Sequence, residues 1–221
     1  MTPEMRHSTE LIILHYTPIR ENTVVLHTLT PQWGRRSFVY SLPKTGGAAL
    51  LQTLNILDGE VVENPKSELW RVSSLRALHP LNGIRGDIRK NTITLFLGEV
   101  LFRALREENS VEEGLFDWCR TAILTLDALP GSFSNFHLLF LLDFASALGF
   151  MPDTASVAPF AGDQLGNISR LLTLDRRQAL ILPLTGAQRN DIADRLLEYL
   201  GSHCEMKLNV KSLKVLRELY I

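Results

Sequence analysis

The sequence lacks the features that mark membrane and secreted proteins. Its longest apolar run, residues 138–142, is well short of the roughly 20 residues that cross a bilayer. Residues 1–10 carry several charges and no apolar core, so they do not form a secretory signal. The two cysteines, Cys119 and Cys204, are too few for a disulfide framework and indicate reduced thiols. These absences favour a cytoplasmic protein, and the 45% hydrophobic content of the 221 residues suffices for a real core.

The signatures of catalysis are missing as well. No Gly-x-Ser-x-Gly or Cys-x-x-Cys sequence occurs, and the six histidines show no metal-ligand spacing with each other or with the cysteines. Residues 44–47, Lys-Thr-Gly-Gly, faintly resemble a phosphate loop, but Val39 stands where that motif requires glycine, which favours a hairpin turn. The sequence therefore predicts neither an enzyme nor a bound metal or cofactor.

Neither sign of charge is in clear excess, since the formal net charge is −1. Its distribution is uneven: residues 1–80 carry 8 basic and 7 acidic side chains, residues 81–160 carry 6 and 10, and residues 161–221 carry 9 and 7. Both ends are therefore available for weak contacts to an anionic partner, although the electrostatic argument for nucleic acid is thin.

The hydrophobic rhythm changes near residue 80, from the two-residue period of strands to the longer period of helices. Five short strand-like segments come first, at 11–14, 23–28, 37–40, 51–57 and 69–72. Such a series predicts a small barrel or sandwich. The later runs 93–105 and 136–148 are too long for strands and predict core helices. We expect an α+β protein, with a five-stranded barrel over 1–80 and a helical domain over 81–221.

Local signals refine the helical half. Capping boxes at 110–113 and 185–188 predict two helix starts. Gly149 and Gly201 stand where left-handed helix ends are expected. Residues 151–167 are rich in Pro, Gly, Ala and Asp, which predicts a loop.

Several stretches, taken in chain order, are similar to one bacterial family. They are Ile-Leu at 13–14 with the strands that follow up to Gly34, Leu-Phe-Leu-Gly-Glu-Val-Leu-Phe-Arg at 95–103 with its acid Glu99, Phe-Ala-Ser-Ala-Leu-Gly-Phe-Met-Pro at 144–152, and Lys-Ser-Leu at 211–213. This ordered set resembles the RecO family of recombination and DNA repair proteins over nearly the whole chain.

The resemblance implies a DNA-binding mediator whose N-terminal barrel, over 1–80, is an OB-fold. Proteins of this kind bind single- and double-stranded DNA, anneal complementary strands, engage the single-strand binding protein SSB and the partner RecR, and help to load RecA. It also implies a cytoplasmic location at the nucleoid. Two departures stand out. No cysteine lies between Cys119 and Cys204, so the four-cysteine zinc module of many relatives is absent, and the stretch after the third strand holds the single basic residue Lys44.

Barrels of this type bind single strands through a basic groove and through aromatic faces that stack bases, each worth roughly 1–3 kcal/mol. The candidate DNA contacts of the barrel, beside the ring of Trp33, are Arg35, Arg36, Lys44, Arg71 and Arg76. Strand alternation predicts that Phe38 and Tyr40 are partly core and that Arg35, next to a turn, is the better phosphate contact.

The C-terminal segment supplies two further candidates, Lys211 and Lys214. With Arg217 they recur every three residues, which places them on one face of a helix as a basic stripe. An ordinary solvated face around Leu213 and Leu216 explains the spacing equally well.

A slot for the SSB tail is the last candidate, because that acidic tail ends in a bulky apolar residue and needs an apolar pocket with a cationic rim. The side chains that supply these materials are Phe102, Arg103, Arg106 and Arg120. The alternative is that the arginines form surface ion pairs with Glu99, Glu107 and Asp117.

Two classes of function stay open at this stage. One is the DNA-binding annealing mediator, and the other is an interaction module whose barrel and helices bind only proteins. A third class, an enzyme with an unrecognised site, is disfavoured because no acid, base, nucleophile and cradle can be assembled. A strand-annealing assay separates the first class from the other two.

Overall fold

The computed structural model describes residues 5–43, 47–64, 67, 69–107 and 111–218. The chain divides into two compact units that interleave in sequence. The barrel unit comprises Met1–Asn82 with Leu105–Ile123, and the helical unit comprises Gly83–Ala104 with Leu124–Ile221.

The barrel unit contains five strands and one short helix. They are β1 Arg6–Arg20, β2 Thr23–Thr30, β3 Gly34–Ser41, α1 Gly47–Leu50, β4 Ile56–Val62 and β5 Trp70–Ala77. The strands close into a barrel in the order β1-β2-β3-β5-β4, with β4 returning to β1. All neighbours are antiparallel except β3 and β5, which pair in parallel at Phe38 with Trp70 and Tyr40 with Val72. The predicted five-stranded barrel is confirmed.

The barrel core follows from alternation along these strands. Phe38 and Tyr40 point inward and are buried, as the sequence predicted. The other large buried side chains of this core are Leu11, Ile13, Val24, Leu26, Leu51, Leu57, Val61 and Val72.

The strand predicted over 51–57 was wrong at its beginning. Residues before Ile56 form α1 and a turn, in which Leu54 has a φ of 62°. The Asn55 side chain donates to the carbonyls of Ala49 and Leu50, at 2.9 and 3.1 Å. These bonds satisfy the end of α1 and leave only the later apolar residues for the sheet.

The remaining helices follow β5. They are α2 Asn82–Gly86, α3 Ile88–Ala104, α4 Leu115–Ala128, α5 Phe136–Ala147, α6 Thr154–Ala161, α7 Leu165–Thr173, α8 Arg176–Leu180, α9 Gly186–His203 and α10 Ser212–Glu218. The long helices α3 and α5 confirm the predicted core helices. In the helical unit, the largest buried rings are Phe96, Phe136, Phe140, Phe144 and Tyr199. No helix in the described part of the chain is long and apolar enough to span a membrane.

The loop predicted over 151–167 was wrong, because α6 and the start of α7 occupy most of it. Asp153 caps α6 by accepting from the Ser156 N–H at 2.7 Å, and Ser156 Oγ accepts from the Asp153 N–H in return. This capping box outweighs the Pro and Gly content of the segment.

The other helix-end predictions had mixed outcomes. The capping box at Thr185 is present, and Gly149 follows α5 with a φ of 85°, as expected. The prediction for Gly201 was wrong, since α9 continues through it; a Cβ there would lie 2.6 Å from the Met206 carbonyl oxygen, so the glycine permits close packing. Ser110 lies outside the described residues, and α4 begins at Leu115.

Candidate nucleic-acid interface

The seam between β3 and β5 combines a cation with aromatic rings. The Arg36 guanidinium lies over the Trp70 ring, with its carbon 4.0 Å from the ring centroid. Trp33 meets Trp70 edge to face at 5.5 Å and Phe38 at 6.2 Å. Arg36 is half-buried and its plane is held by the ring, which is a geometry suited to a phosphate or a stacked base.

Arg71 is the most accessible predicted cation of this seam. It follows Trp70 on β5 and pairs in register with Val39 of β3. Its side chain is exposed and forms no ion pair with any residue that the structure describes. Among the described residues, Arg71 therefore has no ion pair that a phosphate contact would have to break.

Two other predicted contacts of the barrel differ in accessibility. Arg76 is 74% exposed at its side chain but pairs with Asp58, with an Nη2 to Oδ2 distance of 2.8 Å. Lys44 lies outside the described residues.

Arg35, which the sequence favoured as a phosphate contact, has internal partners instead. Its Nη1 donates to the Leu105 carbonyl. Burial lowers the pKa of its guanidinium, and the carboxylate of Glu107 acts in the opposite direction. If Arg35 turned outward to a phosphate, it would lose its hydrogen bond to the Leu105 carbonyl. Arg35 therefore has a structural role in the barrel unit.

A polar network beside Arg35 was not predicted from the sequence. Glu107 accepts from the Ser37 N–H at 2.6 Å and from the Ser37 hydroxyl at 2.9 Å. The Ser37 oxygen then lies 2.8 Å from His27 Nδ1, and Thr17 Oγ1 lies 3.1 Å from His27 Nε2. The Ser37 hydroxyl donates to Glu107, so the Ser37 oxygen accepts from Nδ1–H of His27. In a neutral imidazole, Nε2 then accepts from the Thr17 hydroxyl.

The pKa of His27 agrees with that assignment. Burial lowers the pKa of His27, and the charges of Arg35 and His15 lower it further, while Glu107 raises it. No local sequence pattern indicates the contact between Ser37 and Glu107, because the two residues lie 70 positions apart.

Exposed rings on β1 were missed too. Residues 15–20 are all exposed, with Tyr16 at 40% and Ile19 at 53%. His15 stacks on Tyr16 with a centroid separation of 6.3 Å and on His27 with one of 5.9 Å. Rings that face solvent on a strand of such a barrel are suited to base stacking.

The C-terminal candidates lie in the helical unit. Lys211 and Lys214 are exposed, but Lys211 precedes α10 and Arg217 pairs with Asp194. The predicted stripe of three free cations is therefore reduced to two lysines.

Glu99 determines where α10 begins. Its Oε2 accepts from the Ser212 N–H and hydroxyl, both at 2.7 Å, and its Oε1 accepts from Arg103 at 2.8 Å. Burial raises the pKa of Glu99, but the hydrogen bonds from Ser212, the Lys211 amide and Arg103 outweigh burial and lower it to about 2. A carboxylate at the start of a helix is stabilised by its N–H groups.

The four residues predicted to bind the SSB tail fall in different units. Phe102 and Arg103 belong to the helical unit, while Arg106 and Arg120 belong to the barrel unit. Arg103 pairs with Glu99 at 2.8 Å. Arg120 pairs with Asp117 at 3.0 Å and with Glu10 at 3.2 Å. The ion-pair alternative thus describes Arg103 and Arg120.

The described residues contain no group of three or more His, Cys, Asp or Glu side chains arranged to hold a metal ion. Cys119 is fully buried, and burial raises the pKa of its thiol to about 12. Its thiolate is therefore scarce at neutral pH, which makes it a poor nucleophile.

Comparison with known proteins gives a consistent result. Residues 85–159 match the family model for the C-terminal part of recombination protein O. The chain is 30% identical to the DNA repair protein RecO of Phocaeicola vulgatus and 31% identical to that of Bacteroides fragilis. It is 26% identical to that of Flavobacterium psychrophilum. Each alignment covers 98% of this chain and 100% of the relative. With the barrel and the helical unit in the same order that the resemblance implied, the chain belongs to the RecO family of DNA repair proteins.

Proposed function

We propose that this protein is a DNA-binding recombination mediator. In this role it anneals complementary single strands and, with RecR, helps to load RecA onto SSB-coated single-stranded DNA. The observation that carries the proposal is the match to RecO proteins along the whole chain, together with a five-stranded barrel. The role requires no bond making, so we propose a protein that is not an enzyme.

The seam of β3 and β5 is the part of the barrel that we propose to meet the strand. Arg71 has no described ion-pair partner, and Arg36 presents its guanidinium on the Trp70 ring. Arg76 lies towards the other end of β5, where it is mostly exposed and pairs with Asp58 of β4. Phosphates approach the arginines while bases stack on exposed rings.

Electrostatics make this binding weak. Three arginine contacts with a single strand correspond to a slope of log affinity against log salt of about −2, at roughly −0.7 per contact. A net charge of −1 adds no long-range attraction. We therefore expect weak, salt-sensitive binding with a shallow slope, and annealing that is fastest at low ionic strength.

Annealing of two labelled complementary oligonucleotides, followed by energy transfer between the labels, tests the proposal. The wild type should accelerate annealing, and Arg71→Glu with Arg76→Glu should abolish most of the acceleration. The matched control replaces Arg170 and Arg177, which are exposed arginines of the helical unit. A wild type that does not accelerate annealing contradicts the proposed activity, and an equal loss in the control contradicts the proposed site.

The loading role has its own assay. RecA nucleation on SSB-coated single strands, measured by the ATP hydrolysis of RecA, should be faster with this protein and RecR together than with either alone.

The SSB tail contact at Phe102, Arg103, Arg106 and Arg120 remains a prediction. A labelled tail peptide should bind at micromolar concentration and lose affinity in Arg103→Glu with Arg106→Glu. The Arg106→Glu single variant separates tail binding from the Glu99 contact of Arg103.

A protein-only interaction module is the second candidate. It is favoured by the near-neutral charge and by the internal contacts of Arg35, Arg103 and Arg120. Under this reading the protein binds partners but leaves annealing rates unchanged at every salt concentration. The annealing assay therefore decides between the two.

A further inference from the structure

An open groove of about 1090 Å³ lies in the helical unit, between one face of α9 and the segment that leads through α10. The α9 residues that line it, from Asp194 to Ser202, recur at helical spacing and form a single face. Its apolar lining consists of Phe160, Leu197, Met206, Leu208, Val210 and Leu213.

The charges on the two walls have opposite sign. The α9 wall carries Asp194 and Glu198, and Glu205 follows in the turn just after the helix ends at His203. The facing wall, from the loop after α9 and from α10, carries Lys207, Lys211, Lys214 and Arg217.

Most of these charges are uncompensated. Asp194 and Arg217 neutralise each other across the groove. Within the described chain, no ion pair involves the two remaining glutamates or the three lysines, and all five are exposed. One wall is thus left acidic and the other basic, with an apolar floor between them.

We propose that this groove binds an amphipathic helix of a protein partner, whose apolar stripe lies between one acidic flank and one basic flank. The acidic flank meets Lys211 and Lys214, the basic flank meets Glu198 and Glu205, and the stripe covers the floor. From Asp194 to Ser202 the α9 wall spans about 12 Å at 1.5 Å per residue, so it accommodates about two turns of such a helix.

The groove fits a protein segment better than it fits DNA. A phosphate backbone is uniformly negative and gains nothing from an apolar floor, and Glu198 and Glu205 repel it. An amphipathic helix buries its leucines on the floor and satisfies both walls at once. Lys211 and Lys214, candidates for DNA contact from the sequence, are thereby assigned to a protein surface.

Glu99 positions the basic wall of this groove. By capping α10 at Ser212, it fixes the helix that carries Lys214 and the residue before it, Lys211. The wall is therefore built before any partner arrives, which lowers the entropic cost of binding.

The test uses two designed helical peptides of about 12 residues with a fluorescent label. Both carry leucines along one face; the first has glutamates on one flank and lysines on the other, and the second has lysines on both flanks. Fluorescence anisotropy gives their affinities for the full chain, for the double variant Lys211→Glu with Lys214→Glu, and for a control double variant Arg170→Glu with Arg177→Glu. The control makes the same change of net charge at exposed arginines outside the groove.

The proposal expects a crossover. The mixed peptide should bind the wild type. It should bind the Lys211→Glu, Lys214→Glu double variant, called the lysine variant below, at least about tenfold more weakly, which corresponds to about 1.4 kcal/mol. The all-lysine peptide should bind the lysine variant more tightly than the wild type, and the control variant should match the wild type for both peptides. Leu208→Asn, a polar side chain of similar size on the floor, should weaken both peptides.

Three results would overturn the proposal. They are no binding of the mixed peptide to the wild type, equal affinity of that peptide for the wild type and the lysine variant, and a tenfold loss of single-stranded DNA affinity in the lysine variant with peptide binding unchanged. The last result would return the two lysines to a DNA site.

Discussion

Replacing Glu99 by glutamine tests how the last helix is held. The substitution keeps the shape of the side chain and removes its charge, so the bonds from Ser212 and Arg103 become neutral or are lost. Charge-assisted bonds of this kind are roughly twice as strong as neutral ones. We therefore expect the variant to fold with lower stability.

The magnitude follows from the pKa of Glu99. Its fall from 4.5 to about 2 corresponds to at most about 3.4 kcal/mol, at about 1.36 kcal/mol per pH unit. Because the carboxylate partly faces solvent, screening reduces this to about 1–2 kcal/mol. For a chain of this size, that loss lowers the melting temperature by roughly 2–8 °C.

The pH dependence identifies the cause. A carboxyl group whose pKa is lowered on folding stabilises the protein above its unfolded pKa and loses this effect as pH falls. The difference between wild type and Glu99→Gln should be full above pH 4.5, shrink below it and vanish near pH 2. Urea unfolding followed by circular dichroism, at several pH values, measures it.

A matched control is Glu198→Gln on α9. Glu198 is exposed and has no hydrogen bond or ion pair to a described residue, so its loss should change stability by less than about 0.5 kcal/mol. Equal stability of the wild type and Glu99→Gln at pH 7, or a difference that persists unchanged at pH 2, would refute the reasoning.

Three further predictions concern buried groups. Burial, with a smaller contribution from Arg189, lowers the pKa of His137 to about 3, although a backbone hydrogen bond to Ser134 acts in the opposite direction. As pH falls, the unfolded chain takes up the proton first, so the free energy of unfolding should fall from pH 6.5 towards pH 3, by about 1.4 kcal/mol at pH 5.5. The His137→Gln variant should lack this pH dependence in the same urea titrations. Lys90 is buried and donates to the carbonyls of Asp127 and Leu129 at the end of α4; Lys90→Met should cost about 2–4 kcal/mol because it leaves those oxygens unsatisfied, and an unchanged melting temperature would contradict this. Iodoacetamide should leave Cys119 unmodified in the folded protein and modify it in urea, as read by mass spectrometry, because burial raises the pKa of its thiol.

The barrel could be predicted because its signals are local. Alternation in β2 and β3 places Phe38 and Tyr40 in the core, and period-two patterns depend only on near neighbours. The strand assigned from residue 51 failed because Asn55 bonds to α1 through its side chain, which no hydrophobic pattern encodes.

The candidate site was harder to read from sequence. Arg35 looked like an exposed cation beside a turn, yet its partner carbonyl belongs to Leu105, 70 residues away. Glu99 was recognised as a feature of the family, but its contact with Ser212 spans 113 residues. Contacts of this range depend on the packing of whole elements, so composition and spacing do not reveal them.

The groove of the helical unit also depends on packing between elements that are distant in sequence. Lys211 and Lys214 were found by their spacing, but the apolar floor beneath them is assembled from α6, α9 and the connecting loop. The boundary predicted after residue 80 also remains a prediction, which expression of residues 1–80 alone tests.

The interleaving of the two units constrains the order in which this protein is made. Glu107, which accepts a hydrogen bond from the Ser37 N–H in β3, belongs to the barrel unit but lies beyond α3 in the chain. On a ribosome that adds about 5–20 residues per second, the barrel strands emerge seconds before Glu107 and the rest of residues 105–123. During that interval the nascent barrel lacks part of its own unit, while α3 has already emerged ahead of most of the helices that complete the other unit. The barrel unit therefore has its full set of residues only after α3 of the other unit has been synthesised.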